Sequence, residues 1–275
     1  MLFFSCSCTQ QKTEEGKNLP HMLYNLKHAD AVYHLPASLN ELSGLASTTD
    51  NTLLAVNDEQ GILYSITLKP ELKIKEYAWG KNGDYEGVAA GSKYVYVLES
   101  NGTVHTLSKN EYSVVSSYTV KPAAEWEGAD FAADTLWLVQ KKAANATGVW
   151  YFTSSEDKLK FKINIDDIAQ QLLATKLDKK LYKLIKGSGL QSAFAASALA
   201  IHPITRDIYI LSAEQRLLVV YQPGGKLKQV MELPADIFLK PEALTFSKKG
   251  ALYIGSEGVN TTRPALIFKY LYDPE

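Results

Sequence analysis

The chain has 275 residues, 46% of them hydrophobic and 21% charged, with a formal net charge of −1 at pH 7. That length can bury a large core, and the near-neutral balance supplies no basic field for nucleic acid or an anionic membrane surface. Tyrosine is abundant, 16 residues against 9 phenylalanines, which suits pleated, half-buried surfaces and favours a β-rich fold.

The chain opens Met1-Leu2-Phe3-Phe4-Ser5-Cys6-Ser7-Cys8 and turns at once into polar residues. An apolar run ending in small residues and cysteine resembles the end of a bacterial lipoprotein signal, in which the cysteine carries the lipid. Residues 1–8 are therefore read as the remnant of such a signal, with lipidation at Cys6, which has the better apolar lead-in, or at Cys8. Residues 9–28 read as a polar linker. The protein is then lipid-anchored to a membrane of the bacterial envelope, facing the periplasm or the surface. The alternative is a cytosolic tail bearing two cysteines. The run is too short for a membrane span or a whole signal core. Both cysteines lie in this stretch, so residues 29–275, read as a single domain, have no disulfide and no thiolate metal site.

A short phrase then returns five times. It reads Ser43-Gly44-Leu45-Ala46, Glu86-Gly87-Val88-Ala89, Glu127-Gly128-Ala129-Asp130, Ser197-Ala198-Leu199-Ala200 and Glu242-Ala243-Leu244-Thr245, at intervals of 43, 41, 70 and 45 residues. Each return opens a first strand, followed by a second apolar run at 52–56, 94–98, 135–139, 208–211 and 252–254. A third run follows at 62–66, 103–107, 149–152, 217–221 and 266–270. Short runs rich in apolar, β-branched and aromatic residues read as buried strands. Outer strands are predicted at 74–78, 114–120, 159–163 and 230–233. A strand-built period of about 40–50 residues is the signature of a β-propeller, one unit per blade.

The last repeat lacks an outer strand, while Ala31-Val32-Tyr33-His34-Leu35 stands before the first phrase without a repeat of its own. Supplying it to the last blade closes the ring and removes a free edge. The expectation is an all-β, five-bladed propeller closed by an N-terminal strand. A six-bladed ring would need two repeats in the 70-residue interval. There the period changes instead: Ile165, Ile168, Leu172 and their successors recur at helical spacing, with Asp166 and Asp167 first and lysines last. A helix over about 165–186 is predicted, inserted between blades three and four.

In a propeller the loop into the first strand and the loop from second to third strand share one rim. Glu41, Glu86, Glu127 and Glu242 lie at the first of these, and Asp58, Glu59, Glu99 and Glu257 at the second. These eight are the candidate ligand-binding residues. Three readings stay open: each glutamate staples a neighbouring blade through backbone N–H groups; Glu86, Glu127 and Glu242 hold a hard cation such as Ca²⁺; or a carboxylate pair performs acid–base or nucleophilic catalysis. No HExxH spacing, GxSxG or phosphate-binding glycine loop is present. The fourth repeat, with Ser197 in the glutamate position, weakens the ring there, so a site is expected away from blade four.

The order of the phrases resembles the SdiA-regulated (YjiK-like) family of bacterial envelope propellers. The matching residues are Glu41-Leu42-Ser43-Gly44-Leu45, Asp84-Tyr85-Glu86-Gly87-Val88, Glu127-Gly128-Ala129, Ser197-Ala198-Leu199 and Glu242-Ala243-Leu244, over about residues 30–270. The chain departs where an Asp commonly precedes the fourth phrase, since Ala195-Ala196 stand here. The resemblance implies an exported or membrane-anchored propeller and supplies no activity. The expected function is a monomeric, non-enzymatic binding protein for a small ligand or an envelope protein, with Ca²⁺ as the one cofactor considered. The alternatives are a carboxylate-dependent hydrolase of a sugar, lactone or phosphate ester, and a protein-interaction scaffold.

Overall fold

The computed structural model describes residues 23–143, 147–153, 159–165, 168, 171, 194–260 and 262–274. Five four-stranded antiparallel sheets form the blades of a propeller. Strand β1 (Ala31–His34) precedes blade one, which holds β2 (Leu42–Thr49), β3 (Thr52–Asn57), β4 (Ile62–Thr67) and β5 (Lys73–Ala78). Blade two holds β6 (Tyr85–Ala90), β7 (Tyr94–Glu99), β8 (Thr103–Ser108) and β9 (Val114–Thr119). Blade three holds β10 (Ala124–Ala132), β11 (Thr135–Ala143), β12 (Gly148–Thr153) and β13 (Lys160–Asn164). Blade four holds β14 (Ala198–Ile201), β15 (Ile208–Ser212), β16 (Leu217–Tyr221) and β17 (Leu227–Glu232). Blade five holds β18 (Pro241–Phe246), β19 (Leu252–Ser256) and β20 (Leu266–Tyr270).

Its fourth strand is β1, which pairs antiparallel with β20 from Ala31 opposite Lys269 to His34 opposite Leu266. The predicted N-terminal closure and the count of five blades both hold, and the six-bladed alternative falls. The predicted helix at 165–186 lies outside the described residues except for Ile165, Ile168 and Gln171. Of these, Ile165 and Ile168 are buried in the core beneath blades three and four.

That core is divided. Five apolar clusters occupy the five seams, each built from two neighbouring blades. The middle strands are covered on both sides by neighbours, which is why they read as continuous apolar runs rather than alternating ones. Each blade depends on the next, so closing the ring is what leaves no blade with a bare face.

The five opening phrases converge on the axis and fill it. A Cβ added to Gly87 would lie 2.9 Å from the Ala129 amide nitrogen, and one added to Gly128 would lie 2.8 Å from that of Leu199. Glycine at these places lets one inner strand lie against the next. The axial space left is about 10 Å³, lined by the same phrases, which is at most one water. No open channel runs through the described structure.

The chain joins the fold ahead of residue 29, inside the stretch read as linker. Tyr24 and Leu26 are buried in the cluster between blades four and five. The Tyr24 hydroxyl donates to the Gly250 carbonyl at 2.6 Å and lies 2.8 Å from His202 Nε2. His202 Nδ1 accepts the N–H groups of Ile204 and Thr205, which leaves the proton on Nε2. Burial holds this imidazole down to about 4, against the pull of Asp207, so it is neutral under ordinary conditions.

Candidate functional site

The register fixes the rim. Leu42 pairs with Asn57, Tyr85 with Glu99, Trp126 with Gln140, and Pro241 with Ser256. The start of each inner strand and the end of its neighbour thus meet at one mouth. In these four blades the pairing skips one residue: Ser43, Glu86, Glu127 and Glu242. A bulge re-aims the side chain that it frees from the ladder. The first residue of the phrase is therefore the bulged one, and the backbone turns that position out of the pleat.

This assigns Glu41 to a different layer from the other three glutamates. It stands two residues before Ser43, as Asp84 stands before Glu86, Glu125 before Glu127 and Lys240 before Glu242. An inner tier (Ser43, Glu86, Glu127, Ser197, Glu242) is surrounded by an outer tier (Glu41, Asp84, Glu125, Ala195, Lys240).

Two lysines organise the carboxylates. Lys141, at the end of β11, donates to Glu127 at 2.8 Å and approaches Glu125 at 3.5 Å. Lys240 donates to Glu257 at 2.6 Å and lies 3.6 Å from Glu242. Burial works against the charge on each lysine, but the carboxylates outweigh it and carry both above the usual lysine value.

The carboxyls move upward as well. Burial, then the neighbouring Glu127, then a hydrogen bond with Asp84 raise Glu86 well above the carboxylate range. Burial raises Glu127 too, but less, because its hydrogen bond to Lys141 pulls the other way. Glu242 is raised by burial against the pull of Lys240 and Lys141. Glu257 is pushed up to about 7, mainly by burial, with Lys240 opposing. Asp58 is raised by burial and by Glu41, and its Oδ1 has no hydrogen-bond partner. Glu41, Asp58, Glu86, Glu127, Glu242 and Glu257 thus share one electrostatic network in which, among the described residues, Lys141 and Lys240 are the cations.

Two of the predicted residues stand apart. Glu99 accepts from Asn101 at 2.7 Å and meets His105 Nε2 at 2.7 Å, on the flank of blade two. His105 Nδ1 faces Ser117 at 2.8 Å, the reverse of the ring order in a Ser-His-Asp triad. Glu59 is exposed; its side chain repels Asp58, and its carbonyl accepts the Gly83 N–H at 3.2 Å.

Stapling of the blades falls to other residues. Ser43 Oγ donates to the Tyr85 carbonyl at 2.6 Å, and Ser197 Oγ to the Pro241 carbonyl at 3.2 Å. Asp130 Oδ2 accepts the Ile201 N–H at 2.7 Å, and Thr245 Oγ1 the Ser47 N–H at 3.1 Å. Serine at the first position of the phrase, and a polar side chain at the fourth, thus reach the next blade.

The fourth blade is where the mouth has room. A cavity of about 260 Å³ lies beside Ser197, bounded by Lys141, Lys240, Glu242, Glu214 and the small side chains of Ala195 and Ala196. This approaches the lower end of ligand pockets, roughly 300–1,000 Å³. Sequence reasoning discounted this blade because it lacks a glutamate; the missing side chain is what makes the space. It also passed over Lys240, whose signal was its place two residues before a phrase. Among the described residues no group of three His, Cys, Asp or Glu side chains is positioned to hold a metal ion.

Fold and mouth together define a five-bladed β-propeller with an acidic, lysine-bridged mouth. No family model matches the chain, and no curated protein matches it in sequence. Among solved structures it is similar to Myxococcus xanthus glutaminyl cyclase, at 13% identity over 90% of this chain and 97% of that one, with a TM-score of 0.58. It is also similar to a Bacteroides thetaiotaomicron protein of unknown function, at 12% identity over 83% of this chain and 56% of that one, TM-score 0.53. A third similarity is to a chain of a nidogen/laminin complex, at 12% identity over 82% and 74%, TM-score 0.52. At such identities these likenesses establish the fold alone.

Proposed function

We propose that the chain is a binding propeller of the SdiA-regulated (YjiK-like) type. In this reading it is held to the bacterial envelope by a lipid on Cys6 or Cys8, and its mouth takes a small polar ligand carrying positive charge. The observation that carries this is the pair Glu86 and Glu127. Both carboxyls are raised by burial; among the described residues neither staples a blade, and Lys141 is the cation bonded to the pair. A cation entering there restores their ionised state, so binding strengthens as pH rises and releases protons. With no three-carboxylate cluster among the described residues, an organic ammonium fits better than Ca²⁺ at Glu86, Glu127 and Glu242.

Thermal shift with putrescine, glucosamine and Ca²⁺, each at about 10 mM, separates these, because a ligand of the native state raises the melting point by mass action. An amine shift that is larger at pH 8 than at pH 5, and absent in Glu127→Gln, supports the reading. A shift with Ca²⁺ that EDTA reverses selects the metal instead. No shift with any probe at either pH overturns it.

A second reading rests on the unequal rise of the two carboxyls. Glu86 holds its proton more firmly than Glu127, which Lys141 favours as a carboxylate; such a split suits an acid and a base of one hydrolytic step. Turnover of a glycoside, lactone or phosphate ester that both Glu86→Gln and Glu127→Gln abolish selects this reading.

A further inference from the structure

The two lysines of the mouth stand on either side of the blade that lacks a glutamate. Lys141 belongs to β11 of blade three, and Lys240 immediately precedes β18 of blade five. Between them blade four opens with Ser197, where blades two, three and five carry Glu86, Glu127 and Glu242. Both lysines line the cavity of about 260 Å³ beside this serine, and Ala195, Ala196 and Ala213 give its wall an apolar part. Glu242, on the same wall, feels both ammonium groups.

Among the described residues the glutamates do not use up either lysine. An ammonium carries three donors. Lys141 gives one to Glu127 at 2.8 Å, while Glu125 stands off at 3.5 Å. Lys240 gives one to Glu257 at 2.6 Å, while Glu242 stands off at 3.6 Å. The longer contacts exceed the usual N–H···O range, so each ammonium keeps donors for a guest. Of the carboxyls on the cavity wall, Glu242 is hydrogen-bonded to Ser197, and Glu214 is exposed, where water and salt screen it.

We propose that this cavity is the anion half of the binding site at the mouth, so that the ligand is a short zwitterion of the α-amino acid type. Its carboxylate accepts from Lys141 and Lys240, and its ammonium meets Glu127 and Glu86. This rests on the reading of the mouth as a site for positive charge. Lys141 joins the two halves. It holds Glu127 at 2.8 Å, so a carboxylate seated on the same ammonium lies beside the glutamate that takes the ligand's positive end. Opposite charges that close together belong on neighbouring atoms of one small molecule. The alanine wall leaves room for a small apolar side chain. A phosphate dianion fits less well, because Glu127 and Glu257 already offset much of the charge on the two lysines. A simple amine fills the glutamate half and leaves the cavity and the spare donors unused.

The probes are L-alanine, L-alaninamide and propionate, which share a skeleton and differ in charge. They are titrated by calorimetry up to about 50 mM at about pH 7, where the amines carry charge. Alanine is expected to bind about tenfold or more tightly than alaninamide, the worth of a hydrogen bond between charged groups, and propionate not to saturate. Lys240→Gln should bring alanine down to the affinity of alaninamide. Ala213→Leu, which fills the cavity, should remove alanine binding and leave the response to putrescine. Ala213 is half-buried and outside the lysine pairs, so this variant tests the cavity even if Lys240→Gln, which strips Glu257 of its cation, fails to fold. Alaninamide that binds as tightly as alanine overturns the proposal, as does alanine binding that both variants ignore. Absence of saturation by alanine overturns it too, and a putrescine shift that persists then keeps the cation reading of the mouth. Loss of the putrescine shift as well removes both readings. Saturation by propionate alone makes the cavity a plain anion site and overturns the zwitterion.

Discussion

The seam between blades two and three differs from the other four. Elsewhere a side chain of one inner strand hydrogen-bonds the backbone of the next blade: Ser43 to Tyr85, Asp130 to Ile201, Ser197 to Pro241 and Thr245 to Ser47. Among the described residues no such bond joins β6 to β10. That seam is joined at its rim by the Trp126 N–H and the Ser100 carbonyl, 2.9 Å apart, and inside by the close approach of Gly87 to Ala129. Where a staple would stand it has two facing carboxyls at the mouth, and at its far end it opens into a cavity walled by aromatic rings. The site proposed at the mouth therefore uses the seam that invests least in holding itself together. Polar residues that satisfy one another inside the protein are not available to a ligand; those left over are.

The largest effect on this comparison should come from Asp130→Ala. The half-buried carboxylate accepts the N–H groups of Ile201 and Phe131, and Ile201 is buried. Bonds to a charged acceptor, and a buried donor left without one, are each worth about 1–3 kcal/mol, so a net loss of about 2–3 kcal/mol is expected by chemical denaturation. A loss below about 0.5 kcal/mol would mean that the seams do not depend on their staples.

Next come Ser43→Ala, which removes a neutral bond to a neighbouring blade, and Ser197→Ala, which removes such a bond together with the acceptor of the Ala213 N–H and a hydrogen bond to Glu242, each for about 1–2 kcal/mol. The Ser197 loss should depend on pH, because part of it is a bond to the Glu242 carboxyl, whereas the Ser43 loss should not. The double variant should be close to additive, since the two residues act on seams that do not touch. Marked non-additivity would show that the ring responds as one unit rather than seam by seam.

Much of this architecture was legible in the sequence, because the repeat and the stranded opening segment are properties of pattern. Ala31–His34 could be assigned to the last blade simply because that blade lacked a strand. The tiers at the mouth were harder. Glu41 looks like Glu86 by residue type, yet it matches Asp84 by position, and only the bulge at Ser43 separates the two. The vacant corner beside Ser197 was misjudged for a related reason: a sequence displays the side chains a site contains, whereas a cavity is made by the ones it lacks.

The smallest effect, and the one that most directly separates the two kinds of seam, belongs to Glu86→Gln. If Glu86 were a staple, glutamine would destabilise the protein at every pH. The structure predicts otherwise. Its folded carboxyl is raised above the ordinary range by burial and by Glu127, so the folded state holds this proton more tightly than the unfolded chain does. The contribution to stability is fully present below the ordinary carboxylate value and is lost as pH rises through the raised one. The wild-type melting point should therefore drift downward between about pH 5 and pH 9, in part because of this residue. Glutamine, which stays neutral, should match wild type at pH 5 and exceed it at pH 9. In Ser43→Ala the deficit should instead be the same at both pH values, because no charge is involved. A glutamine variant that is less stable than wild type throughout would place Glu86 among the staples and remove the ground for a binding site at the mouth.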